Sequence, residues 1–139
     1  MRALAIDFGS KNIGIAVSDA LGITVRPVET IRMSSLNKDL ERLNFLIEDL
    51  EVESVVVGLP VRMDGTMGDA AENTMRFIDR LRAQIQVPIV TQDERLTSFE
   101  AEQIMMERGL NRAQRRKRSD EVAATIILRD YLSSLTTNY

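Results

Sequence analysis

The chain contains neither cysteine nor histidine. The first absence excludes disulfides, thiolate metal sites and cysteine nucleophiles. The second excludes Ser-His-Asp triads, histidine general bases and histidine-ligated zinc. Chemistry on this chain must use carboxylates, hydroxyls, lysines or a metal held by oxygen ligands. No apolar run approaches the roughly 20 residues of a membrane span. The opening Met1-Arg2-Ala3-Leu4-Ala5-Ile6-Asp7 carries an acid too early for a signal peptide and offers no small-residue cleavage site. The expectation is a cytoplasmic protein that begins on a buried strand. Internal repeats, low-complexity tracts and linkers are also missing, so the 139 residues read as one domain, 1–139, around one core.

What is present is unevenly charged. The net charge is −3, yet Arg108, Arg112, Arg115, Arg116, Lys117 and Arg118 fall in one stretch without an acid, leaving −9 for the remainder. Such a patch is either the footprint of a polyanion-binding surface or a solvated face. Between two helical segments, 112–119 is expected to be a mobile loop that orders on phosphates and adds nothing to an apolar face.

Ala3 to Phe8 is an apolar run that ends in a turn at Gly9-Ser10, and Ile13, Ile15 and Val17 alternate with small residues as a second strand. Ile23 to Ile31 reads as a third strand, placed at an edge by Pro27. Leu36, Leu40, Leu43, Ile47 and Leu50 then recur at helical spacing behind the possible cap Ser35. A buried strand (54–58), a helix carrying Ala71, Met75, Ile78, Leu81 and Ile85, and a strand (87–92) follow. Thr97-Ser98-Phe99-Glu100 resembles a capping box, and Ser119-Asp120-Glu121 is expected to open the last helix. The order predicts an α/β fold: an antiparallel three-strand meander plus two parallel strands, with helices on both faces.

Three acids stand where that fold could bring them together. Asp7 ends the first strand, at the rim where open α/β sheets bind ligands, although it could simply support the turn to Gly9. Asp93-Glu94-Arg95 ends the fifth strand on the same rim; alternation lets one acid of the pair face inward and leaves open which. Asp120 at a helix start could merely complement the helix dipole. Together, three carboxylates repel one another unless a cation lies between them, and Mg²⁺ or Mn²⁺ suits an all-oxygen donor set. Such ions promote phosphodiester cleavage without histidine or cysteine. Lys11, just past Asp7, is a phosphate-contact candidate, and Gly58-Leu59-Pro60 offers either close backbone approach or an ordinary crossover.

Asp7-Phe8-Gly9-Ser10-Lys11-Asn12-Ile13-Gly14-Ile15-Ala16 resembles the opening motif of the YqgF/RuvX family, relatives of the RuvC Holliday-junction resolvases. Gly58-Leu59-Pro60 with Asp64-Gly65-Thr66 is similar to its second motif, and Asp93 to Ser98 with Glu100-Ala101-Glu102 to its third. Asp120, Ala123, Ala124, Ile127, Leu128, Tyr131 and Leu132 are similar to its final helix. The chain departs from the pattern at Asn12, where a basic residue is frequent. The resemblance implies an RNase H-like fold and a nuclease that matures the 5′ end of pre-16S ribosomal RNA. It implies Asp7, Glu94 and Asp120 as catalytic and metal-binding residues, with Mg²⁺ or Mn²⁺. Lys11, Arg95, Arg112, Arg115, Arg116, Lys117 and Arg118 are the expected nucleic-acid contacts. The partners implied are structured RNA or branched DNA and ribosomal precursor particles, met by a monomer or homodimer. A resolvase of DNA junctions, a non-catalytic RNA-binding assembly module and, last, a nucleotide-binding domain remain as alternatives.

Overall fold

Alternating residue size along the first strand sets the layering of the molecule. The computed structural model describes residues 1–94 and 97–136, with backbone alone at 97–99, 117 and 136. β1 (Ala3–Phe8) sends Leu4 and Ile6 to one face of the sheet and Ala3 and Ala5 to the other. β2 (Asn12–Ser18) pairs antiparallel with β1, and β3 (Val25–Arg32) antiparallel with β2. β4 (Ser54–Leu59) runs parallel to β1, and β5 (Ile89–Asp93) parallel to β4. The strand order β3-β2-β1-β4-β5 is the expected mixed five-stranded sheet. Pro27 lies in the edge strand β3, beside a register shift at Ile15/Ala16, where its missing N–H is harmless.

The large face of β1 packs with Leu40, Leu43 and Ile47 of α1 (Leu36–Asp49) and with Phe77, Ile78 and Leu81 of α2 (Asp69–Arg82). The Ser35 hydroxyl caps α1, accepting the Lys38 N–H at 3.3 Å. On the other face Ala3, Ala5, Ala16 and Val56 meet Ala124, Ile127 and Leu128 of α4 (Arg112–Thr136). The alanines of the sheet, with Ala124 on the helix, let α4 lie close to it. α3 (Thr97–Glu107) packs on α4 through Ala101, Ala123 and Ile126.

Several boundaries differ modestly from the periodicity: β4 runs one residue longer, to Leu59, and β5 spans Ile89–Asp93 instead of 87–92. β3 starts at Val25 because the Asp19 carboxylate accepts the N–H groups of Ile23 and Thr24, holding them in the turn. α2 stops at Arg82, and Ile85 reaches the core from the segment beyond it.

The larger correction concerns the basic stretch. Residues 112–119 are not a loop: they form the first two turns of α4. A reciprocal cap starts the helix at Asn111, whose side chain accepts the Gln114 N–H at 2.9 Å while the Gln114 side chain accepts the Asn111 N–H at 2.9 Å. Nor is the stretch idle in the fold. Arg115 pairs with Glu102 of α3 at 2.6 Å and donates to the Leu110 carbonyl at 2.9 Å. Arg115→Ala should therefore lower stability by about 1 kcal/mol, the scale of a charge-assisted bond with one half-exposed partner. Arg116→Ala, at an exposed position, should leave it nearly unchanged; equal urea midpoints for the two variants would deny Arg115 this role.

Candidate active site

Because β1, β4 and β5 are parallel, their carboxyl ends share one rim. Asp7 follows Ala3 and Ala5 onto the α4 side of the sheet. Across the ladder Asp7 faces Gly14, and the β1–β4 register, in which Ile6 pairs with Val57, carries Gly58 to its other side. A Cβ on Gly14 would overlap the Asp120 carbonyl. A Cβ on Gly58 would lie 2.5 Å from Ile127 Cδ1 and 2.8 Å from the Glu94 carboxyl group. These two glycines clear the space through which α4 and Glu94 approach Asp7.

Glu94 settles the ambiguity at the end of β5. Its N–H donates to the Leu59 carbonyl at 3.2 Å, and its side chain turns inward while Asp93 is exposed. The Glu94 and Asp7 carboxyl groups lie close enough for each to act on the protonation of the other. Burial, then the Asp120 charge, pushes Asp7 up to about 6. Burial, then the charge and close approach of the Asp7 carboxyl group, and last the Asp93 charge, pushes Glu94 up to about 9. Without a cation the pair therefore shares a proton at neutral pH.

This has a consequence for stability. Both carboxyls bind protons more tightly folded than unfolded, where their ordinary values are 3.8 and 4.5. The associated stability is complete below about pH 4 and is lost as the pH rises through 6 and 9. Metal-free protein should thus lose on the order of a few kcal/mol between pH 5 and pH 9. Glu94→Gln should flatten that decline in urea unfolding; an equally steep decline would place the shared proton elsewhere.

Asp120, in the third turn of α4, lies above the β1–β2 turn, its Oδ1 3.8 Å from where a Gly9 Cβ would stand. Asp7, Glu94 and Asp120 line one open pocket of about 750 Å³. Among the described residues no three acids converge as a ready metal cage, although Asp7, Glu94 and Asp120 all line the pocket and Asp7 interacts with both of the others. The other wall belongs to α2, which contributes Asn73, Arg76 and Arg80. Between the walls Phe8 stacks on Phe77, with ring centroids 4.2 Å apart.

The expected phosphate contacts are more scattered. Lys11 is exposed on the β1–β2 turn, outside the lining of the pocket. Arg112, Arg116 and Arg118 are exposed on α4, and Arg112 begins eight residues before Asp120, about 12 Å along the helix axis. Arg95 and the Lys117 side chain lie outside the described residues. Arg76 and Arg80 escaped the sequence reading, because two arginines four apart on a helix look like any solvated stripe until α2 is placed beside the rim.

Residues 1–134 match the model of the RuvX family, described as a Holliday junction resolvase. The chain belongs to the RuvX family. A relative from Clostridium acetobutylicum is 44% identical over 135 residues, covering 97% of this chain and 100% of its own. One from Thermoanaerobacter pseudethanolicus is 41% identical over 135 residues, covering 96% and 97%. The names of both propose a pre-16S rRNA nuclease. Among solved structures, T. thermophilus RuvC in complex with a Holliday junction substrate superposes with a TM-score of 0.63 at 14% identity, covering 99% of this chain and 97% of that one. The Fowlpox virus resolvase with its junction DNA gives 0.61 at 12% identity, covering 97% and 99%. At such identities the likeness establishes the fold, which this RuvX-family chain shares with RuvC-like resolvases.

Proposed function

We propose that this RuvX-family chain is a nuclease that hydrolyses phosphodiester bonds at the 5′ end of pre-16S ribosomal RNA, using Asp7, Glu94 and Asp120. The observation that carries this reading is the close approach of the half-buried Asp7 and Glu94, in a glycine-cleared pocket whose wall also bears Asp120. Two acids held so close without a compensating charge are a poor structural device and a good cation site.

The donor set fits Mg²⁺ or Mn²⁺: oxygen only, with two carboxylates close together and a third nearby, where such ions are completed by water and substrate phosphates. When bound, the ion would supply Lewis-acid polarisation of a phosphoryl oxygen and activation of water. The chain's own part is to hold Asp7 and Glu94 deprotonated together once their repulsion is compensated. Asp120, fixed on α4, accepts hydrogen bonds from whatever water enters beside the scissile phosphate. The helices on either side keep that phosphate at the rim.

Among the described residues no helix is long and apolar enough to cross a membrane; the reading places the chain in the cytoplasm, at work on ribosomal precursors. Lys11, Arg112, Arg116 and Arg118 extend the surface available to a long polyanion beyond the pocket.

The test offers purified protein a pre-16S 5′ fragment and a four-way DNA junction, each with Mg²⁺ and with Mn²⁺. Cleavage of the RNA alone supports the reading. Symmetric cutting of the junction alone would replace the substrate with branched DNA and call for a twofold dimer. Binding with no cleavage of either would make the chain an RNA-binding module.

A further inference from the structure

Any phosphodiester entering the pocket meets the carboxylates of Asp7, Glu94 and Asp120 on one wall. A strand has several phosphates, and one divalent site can offset the repulsion of only those beside it. The neighbouring phosphates need a second source of positive charge. Among the described residues lining the pocket, the cations are Arg76 and Arg80, both on α2. α2 covers the face of the sheet opposite to α4, so the two arginines stand across the pocket from Asp120.

Their setting is suited to holding an anion. Asn73, Arg76 and Arg80 follow one another at three and four residues, which puts them on one stripe of the helix, with neighbouring side chains 5–6 Å apart at Cβ. On the adjoining face of the helix Thr74, Phe77, Ile78 and Leu81 are buried, Phe77 at the floor of the pocket, so the stripe cannot rotate away from it. Arg76 donates through Nη2 to the Asn73 side-chain oxygen at 2.6 Å, a neutral partner that orients the guanidinium without cancelling its charge. Arg80 has no ion-pair partner among the described residues. The α4 basic residue nearest in character, Arg115, is by contrast committed to Glu102.

We infer that Arg76 and Arg80 form a clamp for the phosphodiester backbone of the substrate strand, oriented by Asn73, so that the strand passes between α2 and the acidic wall. The inference deepens the nuclease reading by naming what holds the substrate, and it is tested by binding alone. Guanidinium forks contact phosphate oxygens without reading bases, so the clamp accepts any sequence and leaves discrimination to other parts of the surface.

The experiment measures the affinity of a fluorescent single-stranded RNA 20-mer, and of the DNA of the same sequence, between 50 and 200 mM salt. The background is Asp7→Asn protein without divalent metal, so that cutting during the measurement is negligible. Arg76→Gln/Arg80→Gln should weaken binding to both strands and reduce the slope of log K against log salt by about 1.4, at about 0.7 per single-strand phosphate. The resulting loss of affinity should then be about sevenfold larger at 50 mM than at 200 mM. Each single variant should show about half of the slope change, and Arg76→Lys/Arg80→Lys should restore most of it. Both positions are exposed, so the fold is retained, and circular dichroism checks it. A double variant with unchanged affinity and slope overturns the clamp, whatever the enzyme cleaves. A flattened slope together with inert wild-type protein leaves the clamp standing and removes the nuclease reading instead. Weakened binding with an unchanged slope also overturns it, since the loss would not come from phosphate charge.

Discussion

Asp7→Asn should reduce cleavage by about 10²–10⁴-fold, the usual contribution of a positioned acid–base or charge-bearing group. It should at the same time make metal-free protein more stable at pH 8. The two effects have one origin. Asn keeps the shape of Asp7, so the fit beside Gly14 and Gly58 survives. It removes a charge that raises Glu94 and that burial and Asp120 oppose in Asp7 itself. Repulsion therefore falls in the folded state, and the stability that wild-type protein loses above pH 6 is partly retained. An ordinary structural acid would behave otherwise: its amide would lower stability and spare activity. The measurements are single-turnover cleavage of the RNA fragment and urea unfolding at pH 5 and pH 8. Full activity in protein free of contaminating nuclease would remove Asp7 from the chemistry. Reduced stability at pH 8 would show that its charge is wanted by the fold.

The contrast between local and distant signals explains what could be read in advance. Strand order followed from short-range features: the turn at Gly9-Ser10, alternation in Ile13, Ile15 and Val17, and Pro27 forcing an edge. Asp7 was legible because a carboxylate ending an apolar strand is costly to bury. The start of α4 was not, because two cap signals compete there. Ser119-Asp120-Glu121 looks like a helix entry, but Asn111 and Gln114 cap reciprocally eight residues earlier, and a helix once started there has no reason to stop. With the loop went the expectation of a free Arg115, whose partner Glu102 lies on another helix. Whether Asp93 or Glu94 faces inward depends on where the β5 ladder ends, which pairing with β4 decides. Arg76 and Arg80 became part of the pocket only through the packing of Phe77 and Ile78 beneath them. Sequence thus identified the acidic wall, whereas the basic wall needed the tertiary fold.

Gly14 bears the other large expectation. Gly14→Ala should destabilise the protein by about 3 kcal/mol, at the upper end for overpacking, and lower cleavage by about 10²-fold. The added methyl would fall on the backbone carbonyl of Asp120, which cannot swing aside as a side-chain end could. Either α4 lifts from the sheet or β2 bends away from it. Lifting the helix separates Ala124, Ile127 and Leu128 from Ala3, Ala5 and Val56, losing close contacts in an already thin layer. It also carries Asp120 away from Asp7, and a displacement of about 1 Å in a catalytic array is enough for the loss of rate. Gly68→Ala is the natural control. Its Cβ would meet the Arg62 side chain at 2.8 Å, but that guanidinium end is free to move, so the change should remain below about 1 kcal/mol. Thermal unfolding and cleavage of both variants decide the matter. If Gly14→Ala matches Gly68→Ala in both, α4 is not held against β2 in the way the packing implies, and the position of Asp120 does not depend on the missing side chain.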